Sequence, residues 1–239
     1  MAVEAHQMAD ERPTRGLLTA AEPLRAGIEF AALGVSAWSL ALAPRGDGHV
    51  VLVLPGLGAS DRSTTVVRAY LRLLGYEALP WELERNVGFT RKWDALEARF
   101  LSVLEEAHAA GKEVSLVGQS LGGTMALRLN DRYPDRVRRI VTLGSPAAGS
   151  IVGVAPMARA AYRGLNGSPR ITTIFSRTDG IVPWQLALRT DRDAEAIEVR
   201  SSHLGMGVNA GVLYAIADRL AEKGDKKFTA PPLLSAYFP

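Results

Sequence analysis

Gly118-Gln119-Ser120-Leu121-Gly122 sets a serine between two glycines in the order G-x-S-x-G. Val114, Leu116 and Val117 before it read as a buried strand. Leu121, Met125 and Leu129 after it recur at helical spacing. A serine on so sharp a strand-to-helix turn holds its hydroxyl exposed above the sheet, where it can serve as a nucleophile. The glycines have a steric purpose, since a Cβ at either position would strike the neighbouring strand or helix. A structural serine in a glycine-rich turn is the plainer reading of these five residues alone. The strand and helix on either side favour the nucleophile elbow.

A serine nucleophile needs a base and an acid, which in this setting follow it in the chain as acid and then histidine. Of His6, His49, His108 and His203, only His203 lies beyond Ser120. It stands in Ser201-Ser202-His203-Leu204-Gly205-Met206, just after a strand-like run, and from such a loop a general base can reach the serine. Asp131, Asp135, Asp179, Asp191 and Asp193 lie between serine and histidine. Asp179 is the best placed. It follows Ile171-Thr172-Thr173-Ile174-Phe175, a β-branched and aromatic run typical of a buried parallel strand. Asp131 and Asp135 bracket Tyr133-Pro134 at a helix end, and Asp191 and Asp193 flank Arg192 in a charged loop. A carboxylate at a strand end can orient an imidazole and stabilise its protonated form.

Acyl transfer also needs donors for a developing oxyanion. Val50–Leu54 reads as a strand running into Pro55-Gly56-Leu57-Gly58, whose glycines let the backbone turn its N–H groups toward a substrate oxygen. The expected donors are the amide of Leu121, next to the nucleophile, and that of Leu57. By itself, Pro55–Gly58 is only a tight turn.

Residues 49–220 resemble the α/β-hydrolase superfamily, small lipases and esterases in particular. The similarity rests on Leu54-Pro55-Gly56-Leu57-Gly58, Gly118-Gln119-Ser120-Leu121-Gly122-Gly123, Leu143-Gly144-Ser145-Pro146, Asp179-Gly180-Ile181-Val182-Pro183 and Ser202-His203. It implies Ser120 as nucleophile, Asp179 as acid, His203 as base, and Leu57 and Leu121 as oxyanion donors. Two positions depart from the common pattern. Pro55-Gly56 stands where many members have His-Gly, and Pro146-Ala147 where many lipases have Pro-His. Neither touches the three residues. The stretch Leu71–Gly88, with Gly75-Tyr76, Trp81 and Asn86, is similar to a group of bacterial hydrolases. Ester hydrolysis is the activity the resemblance implies first, and an acyltransferase or thioesterase would use the same triad. A non-catalytic binding protein is the lesser expectation, because such members often lose a triad residue. Val182, Trp184, Leu204 and Met206 surround the three residues in sequence and suggest an apolar acyl pocket.

These residues require a doubly wound, mainly parallel α/β sheet to bring them together. Alternating patterns predict strands at 49–54, 76–80, 113–118, 138–143, 170–175 and 195–200. Helices are predicted near 61–74, 91–110, 120–133, 183–190 and 208–222. All the strand ends that bear candidate residues then meet at one edge, where open parallel sheets form their sites. The chain divides into a tail and docking helix (1–48), a core (49–225) and a C-terminal tail (226–239). Residues 147–169, apolar with Arg159 and Arg163 and no acid, form either a short lid over the serine or a connecting loop.

Residues 1–22 read as polar and without fixed structure. Pro23 then opens an apolar helix over 23–43, with Leu24, Ile28, Ala31, Val35, Trp38 and Leu42 at helical spacing. Its apolar residues spread over more than one face, which predicts burial against the sheet. Contact with a membrane surface or a second copy is the lesser expectation. Glu29 interrupts a stretch barely long enough to span a bilayer. The acid-rich leader argues against a cleaved signal, so a cytoplasmic location is expected.

Composition narrows the chemistry. A chain of 239 residues with 47% hydrophobic residues can bury a full core. It contains no cysteine, which excludes a thiol nucleophile, a disulfide framework and a thiolate metal site. Four scattered histidines suggest no His-based metal cluster, and no phosphate loop is present. A net charge of +3 is too small to imply nucleic acid as a partner. The expected partner is a small-molecule or lipid ester, handled without cofactor or metal. The sequence sets neither acyl length nor oligomeric state.

Overall fold

A computed structural model describes residues 12–147, 171–188, 194–224 and 226–239, with side chains from Gly16 onward. Six parallel strands form one sheet: β1 (Val50–Leu54), β2 (Glu77–Pro80), β3 (Val114–Gln119), β4 (Ile140–Leu143), β5 (Ile171–Phe175) and β6 (Ala194–Glu198). Their order is β2-β1-β3-β4-β5-β6. The predicted strands are therefore present with ends shifted by a residue or two. β1, β4 and β5 are buried along their whole length, which is why they read as unbroken apolar or β-branched runs.

Alternate residues of each strand serve opposite faces. Val50, Leu52, Leu54, Leu116 and Ile140 pack under α4 (Phe89–Ala109) and α5 (Leu121–Arg132), with Phe100 and Met125 at the centre. Val51, Val53, Val117, Val141 and Ile174 pack under α3 (Thr65–Leu73) and α7 (Ala210–Ala221). The short α6 (Trp184–Ala187) follows β5 and is only half the predicted helix, because Leu188 is already extended. From β1 the chain moves outward to β2 and then returns past β1 to β3. The order of the sheet thus reverses between β1 and β3, the kind of switch point at whose strand ends open parallel sheets form their sites.

The N-terminal segment differs from expectation. Helix α1 runs Arg12–Val35 and is followed by α2 (Ala37–Leu40), so the helix begins eleven residues before Pro23, which lies inside it. Nor is its apolar stripe buried. Leu24, Ile28, Val35, Trp38 and Leu42 are 60–78% exposed. The face turned to the domain instead carries Glu22, Glu29, Leu33 and Leu40. Glu22 is 1% exposed, and Leu40 enters the core. Residues 100° apart per step place Glu22 and Glu29 opposite Leu24, Ile28 and Val35. The physical reason for this inverted docking is hydrogen bonding: the inner carboxylates meet a set of buried N–H groups described below. Among the described residues no helix is long and apolar enough to cross a membrane.

The C-terminal segment is also less of a tail than expected. A 3₁₀ turn over Pro232–Tyr237 puts Leu234 and Phe238 into the core, and the Arg200 amide donates to the Tyr237 carbonyl at 2.8 Å. Except for Ala147, whose amide donates to Leu186 O at 2.8 Å, the candidate lid lies outside the described residues, as do Asp191 and Asp193.

Candidate active site

Ser120 joins β3 to α5 with φ 51° and ψ −123°, a conformation that a side chain other than glycine adopts only at about 1–3 kcal/mol. The surroundings hold it there. Its amide donates to Leu143 O at 2.8 Å, and its carbonyl accepts from Gly123 N at 3.0 Å and Thr124 N at 3.3 Å. The glycines permit the turn, as their spacing predicts. A Cβ on Gly118 would lie 2.5 Å from Gly123 Cα, and one on Gly122 would lie 2.6 Å from Pro55 O. The helix start is thus wedged between two strand ends.

Asp179 closes a turn after β5. Its Oδ1 accepts from the amides of Ile181 (2.8 Å) and Val182 (2.7 Å), while Oδ2 lies 2.7 Å from Nδ1 of His203. Both side chains are nearly sealed from solvent, at 2% and 5% exposure. A carboxylate on Nδ1 fixes the tautomer that leaves Nε2 as an acceptor. The His203 main chain is held as firmly, its carbonyl accepting from Gln119 Nε2 at 2.9 Å. Gly144 forms the shared wall. A Cβ there would meet Asp179 Oδ2 at 2.9 Å and His203 Nδ1 at 3.1 Å, while Leu143 just before it bonds Ser120. The structure thus joins Asp179, after β5, to His203, after β6, beside the Gly144 turn that follows the Leu143 carbonyl holding Ser120, while no hydrogen bond links Ser120 Oγ to His203 among the described residues.

The loop after β1 comes up against the serine, since a Cβ on Gly56 would be 3.3 Å from Ser120 Cβ. Its amides at Gly58 and Ala59 are committed to Asn86 O (2.7 Å) and Gly56 O (3.1 Å). Among the described residues no acceptor takes the Leu57 amide. Leu121 opens α5, where the first-turn N–H groups have no acceptor within the helix. Asn86, fully buried, braces this loop. Its Nδ2 donates to Pro55 O at 2.8 Å and its own amide donates to Ala59 O at 2.8 Å. Asn86 belonged to a recognised stretch, but nothing local in that stretch discloses the bracing.

The four expected pocket residues divide. Leu204 is half-exposed beside His203, and Leu57 is exposed on the facing loop. Met206 is fully buried beneath the dyad, and Val182 is buried in the Asp179 turn. Trp184 stacks on Phe175 at 6.0 Å with the Arg177 guanidinium over its ring.

Sequence reasoning missed two carboxylates. Glu22 accepts from the amides of Gly180 (2.8 Å), His203 (3.0 Å) and Leu204 (2.8 Å). Glu29 accepts from the Ser202 amide (2.7 Å), Ser201 Oγ (2.5 Å) and Asn209 Nδ2 (2.8 Å). A second Asp-His-Ser set lies at the other end of the sheet. Asp47 Oδ1 is 2.6 Å from His49 Nδ1, and His49 Nε2 is 3.0 Å from Ser115 Oγ. Ser115 lies within β3 rather than on an elbow, and it is fully buried. Burial pushes the His49 imidazole below its ordinary value, Arg138 adds to the shift, and Asp47 opposes it. His49 and Ser115 tie the start of β1 to β3 from within the core.

The family described as alpha/beta hydrolase fold matches residues 50–178, more than half of the chain, and the chain belongs to it. A search of curated proteins finds no match. Similar solved structures include α/β-hydrolase domain-containing protein 10 from mouse, at 18% identity and a TM-score of 0.51 over 74% of this chain and 90% of that one. Another is an α/β-hydrolase enzyme from lagoon-sediment metagenome at Mar Chica, Morocco, at 21% identity and 0.50 over 72% and 90%. A third is Est1E from Butyrivibrio proteoclasticus, solved with ferulic acid bound, at 10% identity and 0.50 over 72% and 86%. At these identities the likeness is one of fold.

Proposed function

We propose that the chain is a carboxylic ester hydrolase working through an acyl-enzyme on Ser120. The observation that carries the reading is the sealed 2.7 Å contact between Asp179 and His203 beside a serine strained at φ 51°. His203 Nε2 takes the Ser120 hydroxyl proton as Oγ attacks the ester carbonyl. The amides of Leu57 and Leu121 bond the oxyanion, each contributing roughly 3–4 kcal/mol to the transition state. Collapse of the intermediate breaks the ester C–O bond, and His203 returns the proton to the departing alcohol. Water then attacks the acyl-serine while His203 takes its proton, releasing the acid and restoring Ser120. Asp179 orients the imidazole and steadies the imidazolium that forms.

Leu57 and Leu204 at the mouth suit an apolar acyl group, and the Est1E relative in fold holds a carboxylic acid. The proposal sets the enzyme in the cytoplasm, since removal of the N-terminal helix as a cleaved signal would take away both carboxylates that hold the His203 loop. Turnover of a p-nitrophenyl ester series, with and without an added alcohol, tests the reading. Hydrolysis that Ser120→Ala abolishes supports it. Transfer to the alcohol in preference to water would make the chain an acyltransferase, and absence of turnover on every ester would refute it.

A further inference from the structure

Three consecutive amides of the histidine loop, Ser202, His203 and Leu204, all donate to carboxylates of helix α1. The same Glu22 oxygen that takes the His203 amide also takes the amide of Gly180, the residue after Asp179. One buried atom thus bonds the acid-bearing and base-bearing turns together. Arg25, one turn along α1, lies 3.6 Å from that carboxylate and bonds the Thr178 carbonyl at 2.6 Å, on the other side of Asp179. Thr19 of α1 donates to the Gly180 carbonyl.

From this we infer that Glu22 is a positioning residue for the reaction, with Glu29 in support. It holds the Asp179 and His203 turns in register so that their hydrogen bond is formed before substrate arrives. The inference rests on the reading of Ser120, His203 and Asp179 as a triad. Four features argue for positioning over simple attachment of a helix. An attachment could use any surface amide, yet the amides used are those of the base and of the neighbour to the acid. Burying a carboxylate is costly unless hydrogen-bond donors satisfy it, and here six donors do so for the two residues, five of them on the Asp179 and His203 turns. The helix also leaves Leu24, Ile28 and Val35 in water in order to turn these acids inward. Finally, the Gln119 side chain on the elbow holds the His203 carbonyl from the other side, so the base is clamped between α1 and the nucleophile's own strand.

The test uses the full chain. Glu22→Gln keeps the size of the side chain but replaces one acceptor oxygen with an NH₂ group that faces an N–H donor. The rate is expressed per active site counted by stoichiometric phosphonate labelling, so unfolded molecules do not enter. The expected result is a fall in kcat of about 10- to 10²-fold with KM for p-nitrophenyl acetate nearly unchanged, the response to a slightly misplaced base. A low-field proton signal from the His203–Asp179 bond is expected in the wild type and is expected to broaden or vanish in the variant. If Glu22→Gln does not fold, Glu22→Asp and Glu29→Gln are read for the same two quantities. Wild-type kcat per labelled site with an intact low-field signal, whatever the melting temperature, overturns the inference and leaves Glu22 a purely structural residue. Failure of the triad is separately visible: wild-type chain that turns over no ester, or that keeps its activity as Ser120→Ala, overturns both readings.

Discussion

Gly122→Ala is a one-carbon change aimed at the joint between helix α5 and strand β1. The added Cβ would lie 2.6 Å from Pro55 O and 2.8 Å from the Leu54 carbonyl carbon, with Leu54 O closer still. Ordinary contact begins at 3.4 Å, so the helix start and the strand end must part by about 1 Å in an interior that packs without slack. Neither side can yield freely. Leu54 is registered against Gly118 of β3, Pro55 O holds the Asn86 side chain, and the Ser120 carbonyl ties down the first turn of α5. Overpacking of this kind costs about 1–3 kcal/mol. In a chain of this size, a loss near 2 kcal/mol lowers Tm by roughly 4–8 °C. The same displacement separates the Leu121 amide from the Leu57 amide, and a misplaced oxyanion donor costs about 10²- to 10³-fold in kcat. The assay is kcat and KM on p-nitrophenyl acetate alongside a thermal melt. Gly27→Ala on α1 is the control, since its Cβ would meet nothing within 4 Å. That variant is expected to keep full activity and an equal or higher Tm, alanine being the better helix former. Wild-type kcat and Tm in Gly122→Ala would refute the wedge geometry and, with it, the placing of the oxyanion site between these two loops.

Other consequences follow from the same contacts. Asp179→Asn and His203→Ala are each expected to lower kcat by about 10³-fold or more, while Asp135→Asn stays near wild type; a dead Asp135 variant beside an active Asp179 variant would move the acid elsewhere. His49 is held below its ordinary value by burial, so its contribution to stability is complete above the unfolded value of about 6.5 and is lost as pH falls through 6.5 toward the lower folded value. Denaturant midpoints should therefore drop on acidification over that window, and His49→Gln should flatten the dependence; an equal slope in both chains counts against the assignment. A chain beginning at Arg45 lacks Glu22, Glu29 and the core residue Leu40, and should lose both activity and several degrees of Tm. Full activity in that truncated chain would show that the N-terminal helix is dispensable to the site.

Most of the scaffold was legible because parallel strands buried on both faces read as apolar runs, as at Val50–Leu54 and Ile171–Phe175. The elbow was legible because its glycines are demanded by contacts within a few residues of Ser120 or at the neighbouring strand end. Asp179 and His203 could be picked by chain order and strand-end position. Glu22 and Glu29 could not. Their partners lie 158 to 182 residues away, and an acid in an apolar helix reads as an interruption. For the same reason the helix was expected with its leucines inward. Apolar spacing shows that a stripe exists, and distant hydrogen-bond donors decide which way it faces. Asp47, His49 and Ser115 make the converse point. They reproduce the hydrogen bonds of a triad with the acid before the histidine and the histidine before the serine. Only burial and the position of Ser115 within a strand mark them as structural.

The central claim, that Ser120 forms a covalent intermediate, is tested most directly by mass spectrometry after exposure to a fluorophosphonate. The account predicts a single adduct, on the peptide carrying Ser120, absent in Ser120→Ala and unchanged in Ser115→Ala. An adduct on Ser115, Ser145 or Ser202, or labelling that persists in Ser120→Ala, would contradict it.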